Sequence, residues 1–199
     1  MRIAIIGAGN VGGALATAFR GVGHDVVLGV RDPASDKTRA ALTAAPGSTA
    51  ADPASAVDGA DVIVFALRWD GAEQMLASLP SLDGRIVIDA MNRFSDPTRS
   101  TADDLAERLP GAKVAKAFNT TGFENMSTAR DRETPAAMFV AGDDADAKRV
   151  ALDLATEIGF VAEDAGPLAN ASALEAMVKV WLALSAKHGR RVAYSVSLG

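Results

Sequence analysis

Short runs of apolar, mostly branched residues recur along the chain, and between them apolar positions return every third or fourth residue. Arg2-Ile-Ala-Ile-Ile6 is the first run. Asp25–Val30, Asp61–Leu67, Arg85–Asp89, Lys113–Phe118 and Ala136–Ala141 repeat it, with a weaker candidate at Ser48–Ala50. Runs with no polar alternation are expected of strands covered on both faces, as in a parallel sheet. The intervening segments Asn10–Val22, Ser35–Ala45, Asp70–Leu79, Ser100–Leu109 and Asp144–Ile158 have the periodicity of helices. Strands alternating with helices of ten to fifteen residues predict right-handed crossovers and a doubly wound, mostly parallel α/β sheet with helices on both faces.

Gly166-Pro167 breaks the pattern, which divides the chain into a sheet domain over 1–166 and a short C-terminal helical appendage over 167–199. Leu168 to His188 reads as one helix, apolar almost all round, interrupted by Glu175 and Lys179 at i,i+4 as a favourable pair. Leu174, Met177, Val178, Trp181, Leu182 and Leu184 on this helix amount to more apolar surface than one sheet edge covers, and a homodimer is the expected consequence.

The composition narrows the function. A chain of 199 residues, 49% hydrophobic and 23% charged, suits one large globular domain. Its net charge is −5, with scattered basic residues, so nucleic acid is not an expected partner. Without cysteine there is no disulfide framework, thiolate metal site or cysteine nucleophile. No stretch of about 18 apolar residues lacks charge and no leader is evident, so the expectation is a cytoplasmic protein with no membrane partner.

Gly7-Ala-Gly9-Asn-Val-Gly12-Gly13 follows the first strand and opens the first helix. G-x-G-x-x-G in that context is a dinucleotide fingerprint. Gly7 permits the tight turn, Gly9 lets the backbone touch a pyrophosphate, and Gly12 lets helix and strand approach. Asn10 is placed to cap the helix whose free N–H groups hold the anion. At the end of the second strand, where an acidic residue would take the ribose hydroxyls of NAD, the chain offers Arg31 after Val30. A guanidinium there suits a 2′-phosphate, and NADP is favoured. Asp32 is the dissenting residue, since its carboxylate on the ribose would restore NAD. Lys37 offers a second positive charge or only a solvated one.

Acid/base candidates are few. His24 lies in a turn away from the loop, His188 closes the last helix, Tyr194 lacks a lysine four residues on, and Lys116 lies inside a strand, where pairing with a carboxylate is commoner than catalysis. No catalytic side chain is assigned. Transfer of hydride between two planar partners fits such an inventory, because orientation then carries most of the catalysis.

Gly7-Ala-Gly-Asn-Val-Gly-Gly, Leu28-Gly-Val-Arg31, Asp89-Ala-Met-Asn92, Lys116-Ala-Phe-Asn-Thr120, Val140-Ala-Gly-Asp-Asp144, Asp164-Ala-Gly-Pro-Leu168, Leu174-Glu175 and Trp181-Leu182 together resemble the NADPH-dependent deazaflavin (coenzyme F-420) reductase family. The resemblance runs essentially the whole length. It implies a Rossmann domain with a small helical piece, and hydride transfer between NADP(H) and a deazaflavin. By position, Gly9, Asn10, Val11 and Gly12 would hold pyrophosphate and Arg31 the 2′-phosphate. Leu67 and Asn92 would flank the ribose and nicotinamide, and Ala117, Phe118 and Asn119 would form the wall near the ring. Val30 departs from the usual Ser or Thr and removes one phosphate hydrogen bond. Arg68 and Arg93 replace common prolines at the mouth, where they bind an anionic substrate tail or face water. Two other readings stand beside this one: an NADPH-dependent flavin or small-carbonyl reductase, and a non-catalytic NADP-binding regulator. The β-hydroxyacid dehydrogenases share the first motif but need a helical domain of about a hundred residues that is not present here.

Overall fold

The computed structural model describes residues 1–70, 72–96 and 98–197. Eight strands form one sheet: β1 (Arg2–Ile6), β2 (Asp25–Gly29), β3 (Thr49–Ala51), β4 (Val62–Phe65), β5 (Ile86–Asp89), β6 (Lys113–Lys116), β7 (Ala137–Gly142) and β8 (Val161–Asp164). Their order is β3-β2-β1-β4-β5-β6-β7-β8. The connections carry α1 (Asn10–Gly21), α2 (Asp36–Ala44), α3 (Pro53–Val57), α4 (Ala72–Ala77), α5 (Thr101–Arg108), α6 (Phe123–Met126) and α7 (Ala145–Glu157), and the chain closes with α8 (Ala171–His188). The expected doubly wound sheet is present.

Alternate residues of each central strand enter opposite layers. Ile3 and Ile5 of β1 join Val62, Val64 and Ile88 beneath Leu15 and Phe19 of α1 and Leu154 of α7. Ala4 and Ile6 turn to the other layer, with Ile63, Phe65 and Val87 against Met75, Leu76 and Leu105. Both faces are covered, which is why the strands read as unbroken apolar runs. Phe19 is fully buried and sits edge-on to Phe118 with ring centroids 5.8 Å apart. Its truncation to Ala would cost about 3–5 kcal/mol.

Two features depart from the sequence reading. β7 is antiparallel to β6, with only Ala115 and Lys116 facing Gly142 and Ala141, because the connection stays at the carboxyl edge instead of crossing back. It leaves through Phe118, the one non-glycine residue at positive φ (58°) among the described residues. β8 pairs parallel with β7, a strand no apolar run announced: Val161-Ala-Glu-Asp164 is an edge strand, and none of its four residues is fully buried. The C-terminal tail returns to the same sheet, where Tyr194 O accepts from Ala137 N at 2.8 Å.

α8 also corrects two expectations. Leu174, Val178 and Trp181 are buried by this chain itself, and Trp181 Nε1 donates to Val192 O at 2.7 Å; the exposed apolar side chains are Val180 and Leu182. Glu175 does not pair with Lys179. It is buried and turned into the domain, because a fully buried lysine on β6 claims it.

Candidate functional site: a cavity at the carboxyl edge of the sheet

β1 ends at Ile6, and the chain turns at Gly7, whose φ of +115° favours glycine; a Cβ there would meet Ala66 O at 2.6 Å. A Cβ on Gly12 would lie 2.0 Å from Gly7 O, so α1 and the loop approach only because this residue has no side chain. Gly9 differs. Its Cβ would meet nothing closer than Lys37 Nζ at 3.6 Å, which leaves open volume over the loop.

Asn10 is not the cap. Gly9 is the N-cap, extended at φ −74° and ψ −172°, no side chain caps the helix, and Asn10 is its exposed first residue. The turn at Gly7 brings the chain into the helix one residue earlier than the cap rule supposes. The first N–H groups of α1 therefore keep no side-chain acceptor, which is the condition for an anion to take them.

Val30 is buried and donates its backbone N–H to Ala51 O at 2.9 Å, leaving exposed Arg31 just beyond β2. Asp32, also exposed, accepts from Ala34 N at Oδ1 (2.9 Å), which ties one of its carboxylate oxygens to the turn before α2. Neither Arg31 nor Lys37 has an ion-pair partner among the described residues. Lys37 reaches the cavity from the first turn of α2, so its charge is brought to the loop and not only solvated.

The cavity encloses about 700 Å³, bounded by residues 7–11, Lys37, residues 66–70 and residues 90–95. Leu67 and Asn92 line it, as the resemblance implies. Arg68 and Arg93 differ in fate. The Arg68 side chain is 91% exposed, 3.8 Å from Asp70. Arg93 is 15% exposed, bound to Asp104, and stacked 5.0 Å from the centroid of Trp69. Trp69 and Phe94, the latter 59% exposed, form an aromatic end on the loops after β4 and β5, which follow β1 in the sheet order. Neither was singled out from the sequence, since each stands alone in a loop without periodic context.

Ala117, Phe118 and Asn119 are buried and lie behind the cavity, not among its lining residues. Asn119 alone acts on it: Nδ2 donates to Asn92 Oδ1 at 3.1 Å. Lys116, fully buried, donates to Asp89 Oδ2 at 2.8 Å and Glu175 Oε1 at 2.6 Å, so it pairs with carboxylates and is closed to substrate. His24 lies in the turn before β2, where Nδ1 accepts from the N-terminal ammonium at 3.2 Å and Nε2 donates to Glu157 Oε2 at 2.6 Å. Burial pushes the Tyr194 phenol up, and its hydroxyl donates to Met177 O at 2.8 Å. The lining residues include no histidine or tyrosine. Among the described residues no cluster could hold a metal, and no helix is long and apolar enough to cross a membrane.

Residues 2–93 match the model of the family described as NADP oxidoreductase, coenzyme F420-dependent. A crystal structure described as a candidate F420-dependent NADP-reductase from Arthrobacter sp. FB24 superposes with a TM-score of 0.88 at 27% identity, covering 98% of this chain and 99% of that one. The metalloreductase STEAP3 of Rattus norvegicus is 29% identical over 180 residues, 88% of this chain. The chain spans only 36% of that relative's length. A reductive aminase from Aspergillus terreus, solved with NADPH, shares the fold at 20% identity and a TM-score of 0.71. The resemblance read from the sequence is therefore met over residues 2–93, a little under half of the chain, by the model of the family described as NADP oxidoreductase, coenzyme F420-dependent.

Proposed function

We propose that the protein transfers hydride between NADP(H) and a planar acceptor of deazaflavin type. The observation that carries this reading is the single cavity with two unlike ends: open helix N–H groups and a lysine at one, two aromatic rings at the other. The open volume over Gly9 and the unclaimed N–H groups fit a pyrophosphate, Lys37 and Arg31 fit phosphate charge, and Gly9, Asn10, Val11 and Gly12 form the cradle. Bound NADPH supplies the hydride. Asn92, its Oδ1 held by Asn119, presents its amide N–H to a ribose or carboxamide oxygen, and Leu67 excludes water beside it.

Reduction of a simple carbonyl needs a proton donor in reach. The lining offers only Lys37, Arg68, Asp70 and Arg93 as charged groups, all set for anion binding, ion pairing or solvent. A conjugated ring that accepts hydride and takes its proton from water fits this lining better than a ketone does. Trp69 and Phe94 supply the faces on which such a ring stacks.

The test follows NADPH absorbance with an oxidised deazaflavin, a flavin and a small carbonyl compound. Turnover with the deazaflavin above the others supports the reading. Faster carbonyl reduction would overturn it, and NADPH binding without turnover of any acceptor would leave a dinucleotide-binding regulator. We further infer a homodimer joined through α8, on whose solvent side Val180 is 54% exposed and, on the other flank, Leu182 is 43% exposed.

A further inference from the structure

The family motifs include Glu175, yet nothing in the dinucleotide reading uses it. It lies on α8, buried, and it enters a knot with three other residues that the sheet and α5 bring together: Asp89 at the end of β5, Thr101 at the start of α5 and Lys116 at the end of β6. All four are at least nine-tenths buried. Lys116 Nζ has Met91 O at 2.6 Å, Glu175 Oε1 at 2.6 Å, Asp89 Oδ2 at 2.8 Å and Thr101 Oγ1 at 2.9 Å, four acceptors for three protons. The knot is therefore saturated from the lysine side.

Its free ends point at the cavity rim. β5 stops pairing at Asp89; Ala90 N still donates to Phe65 O of β4 at 3.0 Å, but Met91 and Asn92 beyond it have no strand neighbour to hold their backbone. The knot replaces one. Asp89 Oδ1 accepts from Met91 N at 2.9 Å, Lys116 donates to Met91 O, and Glu175 Oε2 accepts from Arg93 N at 2.6 Å. The segment between these pins is Asn92, which faces the cavity and carries the hydrogen bond from Asn119. Arg93, pinned through its backbone, lays its guanidinium on Trp69. Backbone groups buried at a strand end must find partners, and here those partners fix the rim that Asn92 and Trp69 share.

We propose that Glu175 is a positioning residue for the cavity rim: through Arg93 N it holds Asn92 in the place that receives the nicotinamide half of the cofactor and, by way of the Arg93 guanidinium, Trp69 beside it in the place that receives the acceptor ring. The inference rests on the dinucleotide reading given above. α8 is in this account part of the site, although it contributes no side chain to the cavity lining.

The two carboxylate oxygens of Glu175 have different duties, which permits a selective perturbation. Oε1 faces Lys116 Nζ and the Thr101 N–H, while Oε2 faces Arg93 N alone among backbone donors. In Glu175→Gln the amide oxygen stays with the two donors at Oε1, and the new NH2 then opposes Arg93 N–H. The knot also retains the Lys116–Asp89 charge pair, so no buried charge is left uncompensated. The pin on Arg93 alone is lost.

Two ligands read the two ends of the cavity separately. Adenosine 2′,5′-bisphosphate reaches only the phosphate end, and NADPH reaches both. Calorimetry of Glu175→Gln is expected to show bisphosphate affinity within twofold of wild type and NADPH affinity at least tenfold weaker. Thr101→Val, which disturbs the knot but keeps the Arg93 N–Glu175 bond, is expected to lower the melting temperature and to leave the ratio of the two affinities unchanged. An unchanged ratio in Glu175→Gln, or equal loss of both ligands, overturns the proposal. Should that variant not fold, Glu175→Asp, whose stem is too short to reach Arg93 N and Lys116 together, is read by the same ratio. A wild-type protein that binds neither ligand would sink the dinucleotide reading instead, an outcome distinct from loss of the ratio.

Discussion

Gly9 and Gly12 belong to one motif yet meet different surroundings, so the same substitution at each should fail in a different way. A Cβ on Gly9 would have only the flexible end of Lys37 at 3.6 Å, and the backbone there, at φ −74°, is one that alanine adopts freely. Gly9→Ala should therefore fold. Replacing a favourable N-cap residue costs about 1 kcal/mol at most, or a fall of about 2–4 °C in Tm for a chain of this size. The added methyl nevertheless occupies the volume of the anion. Losing two charge-assisted hydrogen bonds of about 1.5–3 kcal/mol each is worth about 3–6 kcal/mol, which weakens binding on the order of 10²- to 10⁴-fold. On Gly12 the Cβ would overlap Gly7 O at 2.0 Å, and neither backbone has room to move. Gly12→Ala should cost about 3 kcal/mol or more, with a fall on the order of 6–12 °C. Thermal unfolding and NADPH calorimetry on the two variants separate these effects. Wild-type NADPH affinity in Gly9→Ala would show that the loop does not cradle the pyrophosphate. A melting temperature as low as that of Gly12→Ala would show Gly9 to be structural.

Arg31→Ala should weaken NADPH about 10- to 100-fold, the worth of one lost charge-assisted contact, and spare NADH; equal loss of both in a titration would remove Arg31 from the 2′-phosphate. Lys37→Met should weaken both dinucleotides if its ammonium serves the pyrophosphate, and NADPH alone if it serves the 2′-phosphate, again read by paired titrations. Val180→Glu, on the exposed face of α8, should shift the mass in light scattering from near twice 20.4 kDa to 20.4 kDa; a wild-type monomer at micromolar concentration refutes the dimer. Asp144 caps α7 by accepting from Ala147 N, which holds its carboxyl below the usual range. Because the folded value is the lower one, this stabilisation is present above about pH 4 and is lost as pH falls through the folded value. Asp144→Ala should cost about 1 kcal/mol at neutral pH in thermal unfolding, with the difference from wild type shrinking toward acid.

The sheet was legible because burial on both faces leaves a local trace in every central strand. β8 left none, since at an edge its residues stay partly exposed and Glu163 and Asp164 are tolerated. The antiparallel sense of β7 was equally hidden: an apolar run has no direction, and the reversal depends on a loop that turns at Phe118. Glu175 shows the limit of a local rule most clearly. Four residues before Lys179 it satisfies the helix pairing pattern, but Lys116, 59 residues away in sequence, is fully buried, and a buried ammonium makes a far stronger demand on a carboxylate than an exposed one. No spacing encodes that demand.

The same contrast runs through the site and explains why its two ends differ in legibility. The phosphate end is one strand, one turn and one helix, contiguous from Arg2 to Gly21, so its geometry is a property of local backbone and glycine placement. The aromatic end joins Trp69, after β4, to Phe94, after β5, and their relative placement depends on Arg93, whose guanidinium is fixed by Asp104 on α5. Arg93 stood in the sequence as a charge at the mouth, free for an anion or for water. Once bound to Asp104 and stacked on Trp69 it can do neither, and Arg68 becomes the exposed cation of that rim, with a carboxylate no nearer than 3.8 Å. On the proposed function, selection among acceptors would fall to an exposed side chain and to two rings that recognise planarity more than composition, while the cofactor phosphates would meet a preformed cradle. A protein built this way would hold its dinucleotide by local backbone chemistry and leave its proposed second substrate to be chosen by loops.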